Sequence, residues 1–342
     1  MQKTKEVTIY DIADKLNLSP ATVSRALKDE PIVNKKTKKR IFDMAEKIGY
    51  RTNNFARNLR NQKTDTIGVI IPKVNSYFMS AVIAGIEMVV KSEGYTLIIS
   101  QSSEVEQNEA ASAKAMFNNR VDGLLVSLAY DTKSLKHFEP FLKRNIPVVF
   151  FDRVIENNSS YSILIDNHKA AYEATNHLIE QGCRRIVHIT ATSDLDVYTH
   201  RLKGYKQALA DNGISFAKDR VLKGNLSLEY GKQAAEVILK MKQRPDGIFV
   251  ANDNCAVGCM MTLKENGIRI PEDIAIVGFN NDPVSQVIEP NLTTIEYPGS
   301  KMGEVAARQL INHLKNVMPA DAVNKIELPS YLIVRASSSK KK

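Results

Sequence analysis

Residues 7–27, VTIYDIADKLNLSPATVSRAL, carry the pattern that most constrains how this chain can fold. Apolar residues of the first half recur at the spacing of one helical face: Ile9, Ile12, Ala13 and Leu16. Residues 17–19 interrupt that pattern, and Ser19 followed by Pro20 is typical of a helix start, because Ser caps free N–H groups and Pro needs none at the first helical position. The segment therefore predicts two short helices joined by a tight turn.

The apolar spacing continues in a second and a third predicted helix. The apolar residues of the second helix are Val23, Ala26 and Leu27. Those of the third are Ile41, Met44, Ala45 and Ile48, and Gly49 ends that helix. Three such helices with a tight first turn predict a helix-turn-helix domain, whose second helix fits the DNA major groove. The alternative is a small helical domain with a solvated polar face.

The positive charge of the chain is concentrated in the same region. Residues 1–63 contain 15 Lys and Arg against 7 Asp and Glu, whereas the other 279 residues contain 32 against 31. Cationic side chains displace counterions from phosphates, which favours DNA over a solvated face. Basic residues at the start of the third helix are expected to contact the DNA backbone: Lys35, Lys36, Lys38, Lys39 and Arg40. Membrane binding is disfavoured because this basic stretch has no exposed aromatic face.

The remaining composition predicts a cytoplasmic protein. The chain has no run of 18 apolar residues and no apolar segment of a signal peptide near its start. Its three cysteines are odd in number, as expected for reduced thiols. Cys255 and Cys259 have a spacing that invites a metal assignment, but no His or second Cys pair completes a site. We therefore expect a buried helix there, no metal and no cofactor.

From Asp65 onward, short β-branched runs alternate with amphipathic helices. The predicted strands are 66–71, 96–100, 123–128, 148–152, 162–166, 185–190, 247–252 and 274–280, and predicted helices include 78–93, 168–181, 230–242 and 256–266. This order is typical of parallel sheets covered on both faces. RVDGLLVS at residue 120 and RPDGIFVA at residue 244 match in pattern. We therefore expect two similar α/β lobes with a ligand cleft at the carboxyl ends of their strands.

The segment 51–64, RTNNFARNLRNQKT, lies between these regions and is polar and basic, with two isolated large apolar residues, Phe55 and Leu59. One interpretation is a flexible linker. The other is a short hinge helix that orders on DNA, with Leu59 wedged between base pairs in the minor groove and Arg57 and Arg60 on phosphates.

The whole chain resembles the LacI/GalR family of bacterial repressors. The resemblance rests on TIYDIADKLNLSPATVSRAL, TKKRIFDMAEKIGYRTN, ARNLRNQKT, DTIGVIIP, RVDGLLVS, VVFFDR, HRLKGYKQAL, GIFVANDNCAVG, IPEDIAIVGFNN and PNLTTIEYP, in the family's order and spacing. It implies an α/β protein with a small all-α helix-turn-helix domain and a two-lobed core that resembles periplasmic binding proteins. It also implies a homodimer that binds double-stranded DNA at an inverted-repeat operator, under control of an effector in the cleft.

The resemblance implies a domain division. Residues 1–50 form the DNA-binding headpiece, 51–64 the hinge and 65–342 the effector-binding and dimerisation domain. Lobe 1 is expected over about 65–164 and 295–320, and lobe 2 over about 165–294 and 321–339. Dimer contacts are expected from helix 78–93 and from the segment after Val284. The end, ASSSKKK, is a polar tail without leucine heptads, and its three lysines are expected to be solvated rather than to contact DNA.

The resemblance assigns DNA-binding roles to individual residues of this chain. The residues that match the family's DNA contacts are Thr8, Ser19, Pro20, Ala21, Thr22, Ser24, Arg25, Asn34, Tyr50, Asn53, Arg57, Leu59 and Arg60. Arg25 is the candidate for paired hydrogen bonds to a guanine, since Pro20 and Ala21 offer no side-chain donors. Thr8 and Ser24 have capping or solvated roles as alternatives. Leu59 matches the leucine that intercalates at a central CG step.

Effector-binding residues are expected at the cleft. They are Asn75, Tyr77, Phe78, Ser127, Asp152, Arg201, Asn252 and Asn280. Alternatively, Asp152 caps a helix or pairs with Arg153, and Asn252 is a turn residue. Asn280 and Asn281 depart from the two acidic residues common in the family, which changes charge and adds donors. A carbohydrate is the leading effector class, followed by a purine or a phosphorylated metabolite.

Two other classes of protein remain as alternatives. A periplasmic-type solute-binding protein shares the lobes and the cleft, but the basic helix-turn-helix and the lack of a signal peptide disfavour it. An enzyme is disfavoured because no G-x-G-x-x-G after a strand, no G-x-x-x-x-G-K-[ST] and no G-x-S-x-G is present. We therefore expect a ligand-responsive transcriptional regulator, more consistent with a repressor than an activator, that is not an enzyme.

Overall fold

The computed structural model describes residues 7–50, 63–155, 161–317 and 324–340. The chain divides into two compact units, Met1–Thr64 and Asp65–Lys342.

The first unit contains helices α1 (Ile9–Leu16), α2 (Pro20–Leu27) and α3 (Lys35–Lys47). Each begins after a residue whose side-chain oxygen can accept from free backbone N–H groups: Thr8, Ser19 and Asn34. Their apolar faces meet in one buried cluster formed by Ile12, Ala13, Val23, Ala26, Val33, Ile41 and Ala45. The spacing seen in the sequence therefore produces the predicted three-helix core.

The first lobe of the second unit is built on a six-stranded parallel sheet in the order β11-β5-β4-β3-β1-β2. Its strands are β1 (Thr66–Ile71), β2 (Thr96–Gln101), β3 (Gly123–Val126), β4 (Val148–Phe151), β5 (Tyr161–Ile165) and β11 (Lys325–Leu328). Its helices are α4 (Tyr77–Ser92), α5 (Glu106–Asn118), the short α6 (Glu139–Leu142) and α12 (Gly299–Leu314), with a 3₁₀ turn at Lys136–Phe138.

The second lobe is built on a four-stranded parallel sheet in the order β7-β6-β8-β9. Its strands are β6 (Ile186–Ala191), β7 (Val221–Gly224), β8 (Gly247–Val250) and β9 (Ala275–Val277). Its helices are α7 (Asn167–Glu180), α8 (Asp196–Asp211), α9 (Leu228–Leu239), α10 (Asp253–Glu265) and α11 (Val284–Val287), with a 3₁₀ turn at Lys218–Arg220. Cys255 and Cys259 are buried in α10 as free thiols, as expected.

The chain passes between the lobes three times, and the third passage differs from the expected division. It crosses after β5, again near the antiparallel pair β10 (Thr294–Ile295) and β12 (Leu332–Ile333), and again after β11. The range 321–339 was expected in lobe 2, yet β11 pairs with β5 in the first-lobe sheet. Short strands such as β11 carry too few residues for their periodicity to identify a sheet partner.

The predicted strands 148–152, 247–252 and 274–280 extend beyond the observed ends of β4, β8 and β9. Directly after β4 the backbone turns at Asp152, whose φ angle is 61°, and three residues after β9 Asn280 has a φ angle of 116°. A positive φ angle changes the direction of the chain and of the side chains that follow. The polar residues after these strands are thereby available to face the cleft.

Helices α4 and α12 pack closely because glycines face each other across the contact. A Cβ atom at Gly85 would lie 2.0 Å from the carbonyl oxygen of Ser300, and one at Gly303 would lie 2.0 Å from that of Val82. The two helices therefore pack backbone to backbone, which fixes the position of the cleft residues at the start of α4.

Two serines of the polar C-terminal tail are packed into the second lobe. Ser337 and Ser338 are fully buried. Ser337 Oγ donates to the carbonyl of Ile276 at 2.6 Å, and Ser338 Oγ bonds to His177 Nε2 at 2.7 Å. Small hydroxyl side chains can be buried in this way when the surrounding groups pair with them, whereas Ser339 is exposed and Lys340 is half-buried.

Candidate functional site

The exposed face of α2 is the first candidate site. Ala21 and Arg25 are exposed and lie one helical turn apart, and the only charged atoms found near the Arg25 side chain among the described residues belong to Glu30, at 4.0 Å. Pro20, Thr22 and Ser24 are half-buried. At this distance and exposure the pairing with Glu30 is weak, so the Arg25 guanidinium can bind another partner.

Three predicted contact residues also act as helix caps. Ser19 Oγ accepts from Thr22 N at 3.1 Å and bonds to Thr22 Oγ1 at 2.8 Å. Asn34 Oδ1 accepts from Thr37 N at 2.8 Å. Thr8 donates from both N and Oγ1 to Asp11 Oδ2 at 2.7 Å, in agreement with the capping alternative. These bonds fix the starts of all three helices.

Lys38 differs from the other basic residues of α3. Its ammonium donates to Asp29 Oδ1 at 2.5 Å and to the Asp29 carbonyl at 2.8 Å, and it holds the pKa of Asp29 below its usual value. The expected backbone contact by Lys38 is therefore not supported by its position. Lys35, Lys36, Lys39 and Arg40 form an exposed basic surface at the start of α3.

The remaining predicted DNA contacts are only partly described. Tyr50 is half-buried beside the end of α3, and its N–H donates to the Ala45 carbonyl at 2.8 Å. Asn53, Arg57, Leu59 and Arg60 lie outside the described residues.

A cleft of about 340 Å³ between the two lobes is the second candidate site. It lies at the carboxyl ends of the strands, where open α/β sheets bind ligands. Six of the eight predicted effector-binding residues line it: Asn75, Phe78, Asp152, Arg201, Asn252 and Asn280. Its other polar lining residues are Lys73, Ser76, Glu104, Tyr130, Arg153, Tyr198, Asn225, Ser227, Asn254 and Tyr297.

Asp152 is a buried carboxylate, 5 % exposed, at the end of β4. Its Oδ1 accepts from Tyr297 Oη at 2.7 Å and its Oδ2 from Ser127 Oγ at 3.2 Å. Arg153 Nε lies 3.9 Å from Oδ2, so the alternative pairing with Arg153 is present but long. Burial and the adjacent Asp152 charge raise the pKa of Tyr297 well above its usual value, so its hydroxyl remains a donor at neutral pH.

Arg201 extends from α8 to the cleft and is 3 % exposed. Its Nε donates to Asn167 Oδ1 and its Nη1 to the Ala251 carbonyl, both at 2.9 Å, while its Cζ lies 3.5 Å from the centre of the Phe279 ring. Within the described ranges no carboxylate lies within 4.0 Å of it, and burial lowers its pKa. Its neutral partners hold the guanidinium in place without cancelling its charge, which favours an oxygen-rich ligand.

Asn252 both caps α10 and lines the cleft. Its Oδ1 accepts from Cys255 N at 3.2 Å, and the residue also lines the cleft. Asn252 is therefore a structural residue between strand and helix and a cleft residue at the same time. Asn280 lines the cleft, whereas Asn281 bridges two charged groups: its Oδ1 accepts from Arg335 Nη2 at 2.7 Å and its Nδ2 donates to Glu296 Oε2 at 2.5 Å. An aspartate at 281 would repel Glu296, which explains the amide there.

Two predicted effector residues do not line the cleft. Tyr77 is 54 % exposed, because Ser76 caps α4 and the next residue, Phe78, is the one that turns inward. Ser127 is fully buried behind Asp152 and supports that carboxylate. Neither side chain lines this cleft, since neighbouring positions on a helix or strand point in different directions, and their contact with an effector stays a prediction.

Sequence reasoning did not identify Glu104, Tyr130, Tyr198 and Tyr297 as cleft residues. Tyr130 and Glu104 lie on loops without periodicity, and Tyr297 follows a two-residue strand. Tyr198 lies three positions before Arg201, so helical spacing from Arg201 was a signal that pointed to it.

The described residues contain no group of three or more metal-binding side chains, and none of their helices is long and apolar enough to cross a membrane.

Comparisons with known proteins match both units. Residues 8–53 match the family described as bacterial regulatory proteins, lacI family, and residues 175–338 match a periplasmic binding protein-like domain. Catabolite control protein A of Priestia megaterium is 31 % identical over 97 % of this chain and 99 % of its own length. The HTH-type transcriptional repressor CytR of Escherichia coli (strain K12) is 32 % identical over 90 % of each chain. The lac repressor dimer bound to operator and the anti-inducer ONPF shares the fold, with a TM-score of 0.84, 23 % identity, and coverage of 98 % and 99 %.

Proposed function

The chain belongs to the LacI family of bacterial regulatory proteins, and we propose that it is a cytoplasmic transcriptional repressor that binds an inverted-repeat operator as a homodimer. The observation that carries this proposal is the capped helix α2, with Ala21 and Arg25 exposed on a strongly basic unit. Relatives that match about nine-tenths of the chain are transcriptional repressors by name.

The headpiece supplies both general and specific DNA affinity in this proposal. Lys35, Lys36, Lys39 and Arg40 contact phosphates, while Arg25 reads a guanine in the major groove. Leu59 enters the minor groove at a central CG step and kinks the operator, with Arg57 and Arg60 on the flanking phosphates. Leu59→Ala is expected to weaken operator binding strongly while effector binding stays as in the wild type.

Exposed apolar residues on the effector-binding unit support the homodimer. On the first lobe they lie just before α4, on α4 and on the edge strand β2: Val74, Tyr77, Met88, Ile98 and Ile99. On the second lobe they lie at the end of α11 and on either side of β12: Val287, Tyr331 and Val334. An unpaired edge strand with large apolar side chains favours association with a second copy. The solved lac repressor that shares this fold is itself a dimer bound to operator.

A neutral carbohydrate is the effector that the cleft supports best. Asp152 can accept from sugar hydroxyls, Arg201 and the amides of Asn252 and Asn280 can donate to them, and the stacked rings of Phe78 and Tyr297 can pack on a sugar ring. The charge of Arg153 is already paired, since its Nη1 donates to Glu104 Oε2 at 2.7 Å. The lining therefore offers many hydrogen bonds, and its three cationic side chains, Lys73, Arg153 and Arg201, are nearly balanced by the carboxylates of Glu104 and Asp152.

Operator titrations with an effector panel test this proposal. The operator, once identified, is titrated with wild-type protein and with Arg201→Ala in the presence of neutral sugars, sugar phosphates and purines. We expect one neutral sugar to change operator affinity at least tenfold for the wild type and to have no effect on Arg201→Ala. An equal effector response in that variant would contradict the assignment of the cleft, and a response only to a purine or a sugar phosphate would contradict the effector class.

A further inference from the structure

Tyr130 occupies the boundary between the lobes. It lines the 340 Å³ cleft, and it also lines a second cavity of about 720 Å³ on the other side of the start of α8. Val197, Tyr198 and Arg201 face the first cavity, whereas Asp196, Thr199 and Lys203 face the second. The loop that carries Tyr130 therefore separates two spaces between the lobes.

Two carboxylates of the first lobe hold this loop. Glu109, fully buried on α5, accepts from Ala129 N at 2.7 Å, from Thr132 Oγ1 at 3.0 Å and bonds to His137 Nε2 at 2.8 Å. Glu104 Oε2 accepts from Tyr130 N at 3.2 Å. A buried carboxylate with three partners is held in one place, so it fixes the backbone on both sides of Tyr130.

The Tyr130 ring is fixed as well. The guanidinium carbon of Arg153 lies 4.2 Å from the ring centre, and Arg153 is itself tied to Glu104. This stacking restricts the ring to one orientation and directs its hydroxyl toward the second lobe.

Tyr130 then makes two hydrogen bonds to the second lobe. Its Oη accepts from Tyr198 Oη at 3.1 Å, and its carbonyl accepts from Ser193 Oγ at 2.8 Å. Burial raises the pKa of Tyr198 well above its usual value, so the donor keeps its proton. A third bond crosses nearby, from Val154 N to Asp196 Oδ1 at 3.2 Å.

We propose that Tyr130 is an inter-lobe clasp, positioned by Glu104 and Glu109, that sets the equilibrium between closed and open lobes and thereby the response to the effector. Opening the lobes separates Tyr130 from Ser193 and Tyr198, so both bonds stabilise the closed arrangement alone. Removal of one neutral hydrogen bond is expected to shift the equilibrium about three- to tenfold toward the open form. The regulatory part of this inference rests on the proposed function.

The distance between the lobes tests the clasp without any effector. Spin labels are placed on exposed positions of α5 and α9 through Lys114→Cys and Glu236→Cys. The native thiols Cys183, Cys255 and Cys259 are buried, and burial raises the pKa of Cys255 to about 12, which protects it from labelling. Full-length labelled chains are mixed with excess unlabelled protein, so that each measured distance lies within one chain.

We expect Tyr130→Phe and Ser193→Ala each to increase the long-distance population about three- to tenfold, and the double variant to increase it further. Glu109→Gln is expected to act in the same direction, because its amide replaces one of the two acceptor oxygens by an NH2 group, which faces either the Ala129 N–H or the Thr132 and His137 side chains. Tyr10→Phe is the matched control, since this exposed tyrosine lies outside the clasp and outside every site assigned above, and it is expected to leave the distribution unchanged. A folded double variant with the wild-type distance distribution would overturn the proposal.

Operator titration of the same proteins separates this inference from the proposed function. If the wild type binds no operator while Tyr130→Phe lengthens the distance, the proposed function fails and the clasp stands. If the wild type binds its operator and the distances in all clasp variants equal those of the wild type, the clasp alone is wrong.

Discussion

The hydroxyl of Tyr297 donates to Oδ1 of Asp152 at 2.7 Å, and this bond joins the second passage between the lobes to the end of β4. Tyr297 also stacks on Phe78 with ring centres 4.3 Å apart. The carboxylate that we assign to the effector is therefore held by a segment that connects the two lobes.

Replacement of Tyr297 by Phe is expected to lower the free energy of unfolding by about 1–3 kcal/mol, because the buried Asp152 carboxylate loses a donor while the ring contacts remain. Urea unfolding of the full chain measures this change. Tyr10→Phe is the control, since Tyr10 is 63 % exposed, and it should stay within about 0.5 kcal/mol of the wild type. Equal losses in the two variants would show that the bond to Asp152 contributes nothing specific.

Ser19→Ala is expected to destabilise the start of α2 by about 1 kcal/mol, since Thr22 N loses its acceptor. Hydrogen exchange at the Thr22 amide should accelerate about fivefold. Ser19→Asn keeps a capping oxygen and should retain the wild-type exchange rate. If Ser19→Ala exchanges no faster than Ser19→Asn, the cap does not stabilise this helix.

Arg25→Ala is expected to weaken operator binding by about 1–3 kcal/mol and to relax the base preference at one position of each half-site. Lys39→Ala, on the basic surface of α3, should instead weaken all sequences alike and reduce the salt dependence of binding by about one unit of slope. Titrations on the operator and on a single-base variant, at several salt concentrations, measure both effects. Unchanged base preference in Arg25→Ala would contradict its assigned role.

The stability of the second unit is expected to depend on a buried acid pair. Burial raises the pKa of Asp253 to about 7, with the charge of Asp282 as the next cause, and burial raises that of Asp282 to about 6. Both values exceed the ordinary value near 4, so between about pH 4 and 7 the folded protein binds more protons than the unfolded chain. This contribution is fully present at low pH and is lost as the pH rises through 6 and 7.

Asp282→Asn removes one of these acids and its repulsion of the other. Between pH 5 and 8 the wild type should therefore lose about 1–3 kcal/mol more stability than the variant. Urea unfolding at intervals across this range measures the difference. Asp219→Asn, at an exposed site, should parallel the wild type. If the free energy of unfolding changes with pH equally in the wild type and in Asp282→Asn, the acid pair is not the cause of the pH dependence.

Most of the fold follows from local patterns. The capped helices of the first unit and the long buried strands, such as β1, have apolar spacing that identifies them without knowledge of their partners. The two-residue strands β10 and β12 and the allocation of β11 depend on contacts between residues far apart in the chain, which no local period encodes.

The residues of the cleft likewise include some that local sequence patterns predict and others that depend on contacts far along the chain. Asp152, Asn252 and Asn280 follow predicted strands, so their place at the cleft could be inferred from the ends of parallel strands. Tyr130 and Glu104 reach the cleft from loops shaped by Glu109, and the sequence does not show that a glutamate on α5 will bond to a loop twenty residues later. Tyr77 and Phe78 are adjacent in sequence, and only the direction of α4 decides which of them faces the ligand.

Selection of operator DNA by the intact protein tests the central claim most directly. Fragmented genomic DNA from the source organism is captured by purified full-length protein at moderate salt and sequenced, with Arg25→Ala as the matched control. We expect the wild type to enrich an inverted repeat with a central CG, and Arg25→Ala to lose the preference for one base of each half-site. The absence of any enriched repeat, with and without the sugar and purine panel, would contradict the assignment of this chain as an operator-binding repressor.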